Sequence, residues 1–188
     1  MPVTTLDPTT ALIVIDLQEG IVSMPVEPSP ASVIANSVRL LEAFRANGLP
    51  VVLVNVDAGA PGRTDQNRAA PAAPRPEGWT ELVRELDAQP GDHLVTKRTW
   101  GAFHDTGLNE HLRGLGVTQV VITGIATSAG VESTARQAHE LGFHVTLATD
   151  AMTDREPTTH LHSIENIFPR LGETGTTAEI LELLVAGR

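Results

Sequence analysis

Three positions that could carry chemistry fall at the points where predicted strands end. Asp16 ends the apolar run ALIVID, and Lys97 ends a shorter strand-like run. The third is the 125–130 turn of small and hydroxyl residues, between the apolar run 119–124 and a helical pattern from Val131. A carboxylate and an ammonium that face each other beneath a helix N-terminus can move a proton and stabilise developing negative charge. Taken singly, Asp16 is more simply a turn cap and Lys97 a solvated strand-end residue, but their joint placement favours an acid–base site.

The elements needed to position these residues alternate along the chain. Strands are predicted over 11–16, 51–56, 93–97, 119–124, 143–149 and near 170–174. Helices are predicted between Ser29 and Gly48 and over 79–86, 106–113, 131–141 and about 157–167. A final helix is predicted to end at Leu184. Apolar strands that alternate with helices specify a parallel sheet covered on both faces, with right-handed crossovers.

This pattern predicts an α/β fold, a three-layer α/β/α sandwich around a six-stranded, mostly parallel sheet of the Rossmann-like kind. We expect a single domain over residues 1–188. Ligands bind outside the carboxyl ends of the strands in such sheets. Asp16, Lys97 and the 125–130 turn are therefore expected to converge at one edge.

Composition excludes several classes of partner and chemistry. Thirteen basic and twenty-three acidic residues give a net charge of −10, without the clustered Lys and Arg that nucleic acid or an acidic membrane requires. The chain has no cysteine, so it has no disulfide, no thiolate metal site and no cysteine nucleophile. Neither a signal peptide nor a run of membrane-spanning length is visible, so we expect a cytoplasmic protein.

Aromatic side chains are rare, at 3% of residues, yet two of them lie close after Lys97. The candidate pocket walls are Trp79, Trp100 and Phe103. An equally good interpretation is that these side chains only cover the hydrophobic core beneath the loop. The proline-rich segment 58–78 is predicted to be a long loop that covers the pocket and binds a substrate carboxylate through Arg63, Arg68 and Arg75. Solvated loop charge is the alternative for those arginines.

Four blocks of sequence carry a resemblance to a known family. They are LIVIDLQ at 12–18, KRTWGAF at 97–103, TGIATSAGVESTARQA at 123–138 and GFHVTLATDAMTD at 142–154. The chain resembles the isochorismatase-like hydrolase superfamily, which includes nicotinamidases, carbamoylsarcosine amidohydrolases and isochorismatases. The third block is the most specific, and the resemblance covers nearly the whole chain.

The resemblance implies roles for particular positions. The catalytic aspartate of the family matches Asp16, and its catalytic lysine matches Lys97. The Ile125–Ala126 bond matches a peptide that is usually cis and that would turn backbone N–H groups toward a substrate oxygen. The nucleophilic cysteine matches Gly130, which is the main departure from the family pattern. The resemblance also implies a homo-oligomer, a dimer or a tetramer.

A second departure concerns metal. Nicotinamidases hold a metal with an Asp-x-His motif and additional histidines, whereas this chain reads Asn-Val-Asp at 55–57. His160 and His162 are two residues apart on a predicted helix, so their side chains point in different directions. We therefore expect no metal and no other cofactor.

Two functions remain open for a small-molecule substrate. In the first, water is the nucleophile of a hydrolase, and Asp16 with Lys97 protonates a vinyl ether or activates water toward an amide or ester. In the second, the chain is a catalytically inactive small-molecule-binding homologue that has lost the nucleophilic cysteine. The glycine at position 130 is what the second function predicts, whereas the retained Asp16 and Lys97 favour the first because binding alone does not require that pair.

Overall fold

A computed structural model describes residues 2–57, 62–65 and 75–186. Within these ranges, six parallel strands form one sheet in the order β3-β2-β1-β4-β5-β6. The strands are β1 (Thr10–Ile15), β2 (Val51–Val56), β3 (His93–Lys97), β4 (Gln119–Ile125), β5 (His144–Thr153) and β6 (Glu173–Gly175). The central strands β1 and β4 are buried along their whole length, as expected of apolar strands covered on both faces.

Six α-helices connect the strands or flank the sheet in the described part of the chain. They are α1 (Glu19–Val22), α2 (Pro30–Ala46), α3 (Leu108–Gly114), α4 (Glu132–Glu140), α5 (Pro157–His162) and α6 (Thr177–Ala186). A π-helical turn, Thr127–Val131, leads into α4, and another, Ser163–Ile167, continues α5. Ser29 begins α2 as its N-cap, accepting the N–H of Ala31 at 3.3 Å, with proline at the first helical position.

The two faces of the sheet bury two separate cores. Ala11, Ile13 and Ile15 of β1 face the side covered by α3 and α4. The intervening residues Leu12 and Val14 face the side covered by α2 and α6. This alternation confirms the predicted three-layer sandwich, and the sheet is parallel throughout instead of only mostly so.

Two predicted elements differ in the structure. The helix predicted over 79–86 is wrong, since only a 3₁₀ turn at Arg84–Leu86 forms. The preceding backbone is used elsewhere, because the carbonyls of Trp79 and Glu81 accept N–H groups of the first turn of α1. The fifth strand continues to Thr153, beyond the predicted end at 149. Asp150 Oδ1 accepts the N–H of Thr177, the first residue of α6, at 2.7 Å.

None of the helices in the described ranges has both the length and the apolar character needed to cross a membrane.

Candidate active site

Asp16 and Lys97 form a buried ion pair at the carboxyl edge of the sheet. Asp16 directly follows β1, and Lys97 is the last residue of β3, with β2 between these strands. Lys97 Nζ lies 2.7 Å from Asp16 Oδ2, and the two side chains are 2% and 6% exposed. The parallel sheet therefore brings together two residues that are far apart in the sequence.

The backbone of Asp16 is also unusual. Its φ angle is 51°, in the left-handed region that few non-glycine residues adopt and that Asp tolerates better than most. The chain thus leaves the extended conformation immediately after Ile15, while the N–H of Asp16 still bonds the carbonyl of Val54 at 2.9 Å. Asp16 is therefore fixed at the end of the sheet by backbone and side chain together.

Burial changes the acidity of this carboxyl group. Desolvation raises the pKa of Asp16 from 3.8 to about 6, and the charge and hydrogen bond of Lys97 oppose the rise. Asp16 Oδ1 is buried and has no hydrogen-bond partner among the residues that the structure describes. The carboxyl group can therefore gain or lose a proton near neutral pH.

Gly130 lies directly beside the ion pair. A Cβ atom added at this glycine would lie 3.0 Å from Ile15 Cγ2, 3.1 Å from Asp16 Oδ2 and 3.5 Å from Lys97 Nζ. Any side chain at position 130 would therefore contact both members of the pair. Glycine itself adds no side chain at this place.

The turn that carries Gly130 is compact. The peptide bond between Ile125 and Ala126 is cis. The carbonyl of Ala126 accepts the N–H groups of Ala129 and Val131, both at 3.1 Å. Both Ile125 and Ala126 line the cavity described next.

A cavity of about 400 Å³ opens above the pair. Asp16, Lys97 and Gly130 contribute to its lining. The apolar part of the wall includes Ile21, Met24, Val26 and Trp100. Arg75 and Arg155 add cationic groups to that of Lys97, and Asp154 adds a second carboxylate. Trp100 is 62% exposed, so its ring lies at the rim. This volume falls in the range of small-molecule sites.

Two of the predicted aromatic walls lie elsewhere. Phe103 does not line the cavity, which corrects the expectation for that residue: its ring packs on Phe143, with centroids 5.8 Å apart, and joins the core beneath α4. Trp79 packs against Gly20 and carries the Arg75 guanidinium 3.9 Å above its ring. Of the residues named for the 58–78 loop, Arg75 reaches the cavity and Arg68 lies outside the described residues.

The sequence interpretation missed two residues next to the turn. Asp154 follows the extended β5, and its carboxylate accepts the N–H groups of Ser128 and Arg155, each at 2.7 Å. His160 is buried, and its Nδ1 shares a 2.8 Å hydrogen bond with the hydroxyl of Thr127. Helical spacing from His160 to Ile164 and Phe168, which pack in the core, is the signal that could have identified the histidine as inward-facing.

Metal-ligating side chains are not clustered in the described ranges: no group of three or more His, Asp or Glu residues could hold an ion there. His160 is buried beside Thr127, whereas His162 is exposed and lies 3.5 Å from the amide of Asn166. The two histidines therefore have different environments.

Comparison with known proteins assigns the family. Residues 10–179 match the isochorismatase domain model, and the chain belongs to that family. It is 42% identical over 179 residues to the uncharacterized isochorismatase family protein YwoC of Bacillus subtilis (strain 168), covering 92% of this chain and 93% of that protein. It is 34% identical over 170 residues to the ureidoacrylate amidohydrolase RutB of Variovorax paradoxus (strain S110), covering 76% and 68%.

A solved structure shows the same similarity in three dimensions. An isochorismatase family protein from Burkholderia thailandensis superimposes with a TM-score of 0.90 and 40% sequence identity. The match covers 96% of this chain and 98% of that one. The two chains therefore share the same fold over nearly their whole length.

Proposed function

We propose that the chain is a hydrolase of small molecules in which water is the nucleophile and Asp16 with Lys97 handles the proton. The observation that carries this proposal is the buried 2.7 Å ion pair beside a glycine at the position of a nucleophile. Family membership supports hydrolysis, because a relative such as RutB is named an amidohydrolase.

The geometry leaves a place for water to act. Gly130 adds no side chain next to Asp16 Oδ2, and Asp16 Oδ1 has no described hydrogen-bond partner. A water beside Gly130 can donate a hydrogen bond to this carboxylate. The ammonium of Lys97 bonds the same Oδ2 at 2.7 Å and would lie 3.5 Å from a Cβ at position 130, so it stabilises the ionised carboxylate and any negative charge that develops beside Gly130.

Two reactions use this arrangement with opposite protonation states. With a vinyl ether, the protonated Asp16 transfers its proton to the vinyl carbon, water adds to the resulting oxocarbenium carbon, and the adduct breaks into a carbonyl compound and an alcohol while the carboxylate recovers a proton. With an amide or ester, the ionised Asp16 takes a proton from water as the oxygen attacks the carbonyl carbon, then passes it to the leaving group. General acid–base assistance of this kind contributes about 10²–10⁴-fold.

The cavity indicates the class of substrate. Its apolar wall and the rim residue Trp100 suit a flat, apolar body, and the guanidinium groups of Arg75 and Arg155 suit an anionic group. We therefore propose a small substrate with one carboxylate or a similar anion. Replacement of Arg155 with Gln should raise KM for such a substrate, with a smaller effect on kcat, because Arg155 is placed to bind the anion and not the scissile bond.

A hydrolysis screen over vinyl ethers, amides and esters, with thermal-shift measurements on the same compounds, tests the proposal. Asp16→Asn should abolish turnover and leave the protein folded. Asp87→Asn is the matched control, because Asp87 also has a positive φ, of 43°, but lies outside the cavity. Unchanged turnover in Asp16→Asn would remove the acid–base role. Ligand-induced stabilisation without turnover of any compound would favour the binding homologue.

The pH profile separates the two reactions. Because the pKa of Asp16 is about 6, a reaction that needs the protonated carboxyl should accelerate as the pH falls through about 6. A reaction that needs the carboxylate should slow over the same interval. A profile of kcat/KM that is flat from about pH 5 to about pH 7 would contradict both roles.

A further inference from the structure

The turn that carries Gly130 is held from one side by the segment that follows β5. Three side-chain hydrogen bonds join them: Ser128 N–H to Asp154 Oδ2 (2.7 Å), Thr127 Oγ1 with His160 Nδ1 (2.8 Å), and Ser163 Oγ–H to Glu132 Oε2 (2.7 Å). The segment 154–163 therefore contacts two residues that precede Gly130 in the turn, and the first residue of α4 that follows the turn.

The central bond, between Thr127 and His160, is the most deeply buried of the three. Thr127 is fully buried and His160 is 8% exposed, and neither lines the cavity. Burial lowers the pKa of His160, although the charge of Asp154 opposes this effect. The lowered pKa favours the neutral imidazole, in which Nδ1 either donates or accepts the hydrogen bond shared with the Thr127 hydroxyl. His160 does not line the cavity, and its hydrogen bond to the turn is the one with Thr127.

We infer that His160 is a positioning residue, which holds the Thr127–Val131 turn through Thr127 and so keeps Gly130 in register with Asp16 and Lys97. This inference rests on the proposed active site. The register has little tolerance: an added Cβ at Gly130 would already be 3.1 Å from Asp16 Oδ2. A displacement of the turn by a few tenths of an ångström would therefore change what can bind between glycine and carboxyl group, and errors of about 1 Å can cost about 10²-fold in rate.

Packing alone would not require histidine. Ile164 and Ile167, on the same side of the segment, pack against the core with apolar side chains. A leucine or methionine at position 160 could fill the same space, but it would leave the buried hydroxyl of Thr127 without its 2.8 Å hydrogen bond. A hydrogen bond adds a fixed direction and distance, which packing alone supplies less strictly.

The absence of cysteine provides a reporter for the register. Gly130→Cys introduces the one thiol in the chain, directly beside Lys97 and Asp16. The pH dependence of its alkylation by iodoacetamide, together with thiolate absorbance, gives the pKa of this thiol without any need for a substrate. We expect alkylation at neutral pH at least tenfold faster than that of free cysteine, because the ammonium and the adjacent helix N-terminus favour thiolate.

Two pairs of variants in this background test the inference. In His160→Asn the amide group lies near the place of Nδ1, whereas in His160→Gln it lies near the place of Nε2. Since the bond to Thr127 uses Nδ1, the Asn variant should keep the alkylation rate within about twofold, and the Gln variant should lower it by about tenfold. Likewise, Thr127→Ser should preserve the rate, and the isosteric Thr127→Val should lower it to the level of the Gln variant.

The outcomes separate the inference from the proposed function. If the introduced thiol reacts no faster than free cysteine with His160 intact, the proposed active site is wrong. If the thiol is activated but His160→Gln and Thr127→Val leave its rate unchanged, only the positioning role is overturned. If the Asn and Gln variants have equal melting temperatures and lower the alkylation rate equally, packing at position 160 matters and the Nδ1 bond does not. The Thr127 pair gives the same answer if a His160 variant fails to fold.

Discussion

Replacing Lys97 with methionine should make the stability of the protein more dependent on pH. Lys97 is 2% exposed and Met has a similar length, so the side chain can still fill its place. The variant loses the positive charge that opposes the rise in the pKa of Asp16, while the burial that causes the rise remains. The pKa of Asp16 in the folded variant should therefore rise well above about 6.

The magnitude follows from linkage. A carboxyl whose pKa is higher in the folded state than in the unfolded state binds protons more tightly when folded, so its stabilising effect is lost as the pH rises. For the wild type, the rise from 3.8 to about 6 corresponds to about 3 kcal/mol, lost by about pH 6. If the pKa of Asp16 in the folded variant is about 8, the free energy of unfolding continues to fall above about pH 6, by about 1.4 kcal/mol per pH unit. At about pH 8 the free energy of unfolding of the variant has then fallen by about 3 kcal/mol more than that of the wild type. At about pH 5 the two proteins have lost the same amount.

Urea denaturation of both proteins at about pH 5, 6, 7 and 8 measures this difference. For a chain of this size, about 3 kcal/mol corresponds to about 6–12 °C in melting temperature, so thermal unfolding is a second readout. The control is the double variant Asp16→Asn/Lys97→Met, in which the extra pH dependence should disappear. A free-energy difference between Lys97→Met and wild type that is the same at about pH 5 and about pH 8 would refute the coupling of the two residues.

Three further substitutions have defined outcomes. Gly124→Ala should destabilise the protein by about 3 kcal/mol or more in urea denaturation, because φ is 120° and the new Cβ would overlap the carbonyl of Ile15; a loss below about 1 kcal/mol would contradict this. Trp100→Ala should change the free energy of unfolding by no more than about 0.5 kcal/mol, but it should weaken ligand-induced thermal shifts. Leu94→Ala, a control at an exposed residue outside the cavity, should leave those thermal shifts unchanged. Gly130→Ala should leave the protein folded and lower turnover at least tenfold, since a methyl group takes the place next to the carboxylate; unchanged turnover would show that water does not act there.

The convergence of Asp16 with Lys97 could be predicted from sequence because it follows from topology. Apolar β-branched runs define strands such as 51–56, which the structure places at Val51–Val56. Once the strands are parallel, the residues after their carboxyl ends must share an edge. No knowledge of side-chain packing is needed for that step, and it locates the candidate site.

The second layer around the site could not be predicted in the same way. The course of β5 past residue 149 depends on a register shift against β4 between Ile122 and Gly124, and this extension delivers Asp154 to the turn. Phe103 and Trp100 have similar sequence contexts, but one packs on Phe143 and the other lies at the rim. Such differences depend on which distant side chains surround each residue, and these neighbours cannot be inferred from a single sequence.

If water is the attacking group, as proposed, glycine at position 130 has a second consequence for the Asp16–Lys97 ion pair. The parts come from different elements: Asp16 follows β1, Lys97 ends β3, and Gly130 precedes α4. Burial is the largest cause of the raised pKa of Asp16, and a Cβ at position 130 would contact its Oδ2. An uncharged side chain there would desolvate the carboxyl further and raise its pKa more. Glycine offers no side-chain nucleophile, but it limits that rise, so under the proposed function the carboxyl can exchange protons near neutral pH when water is the attacking group.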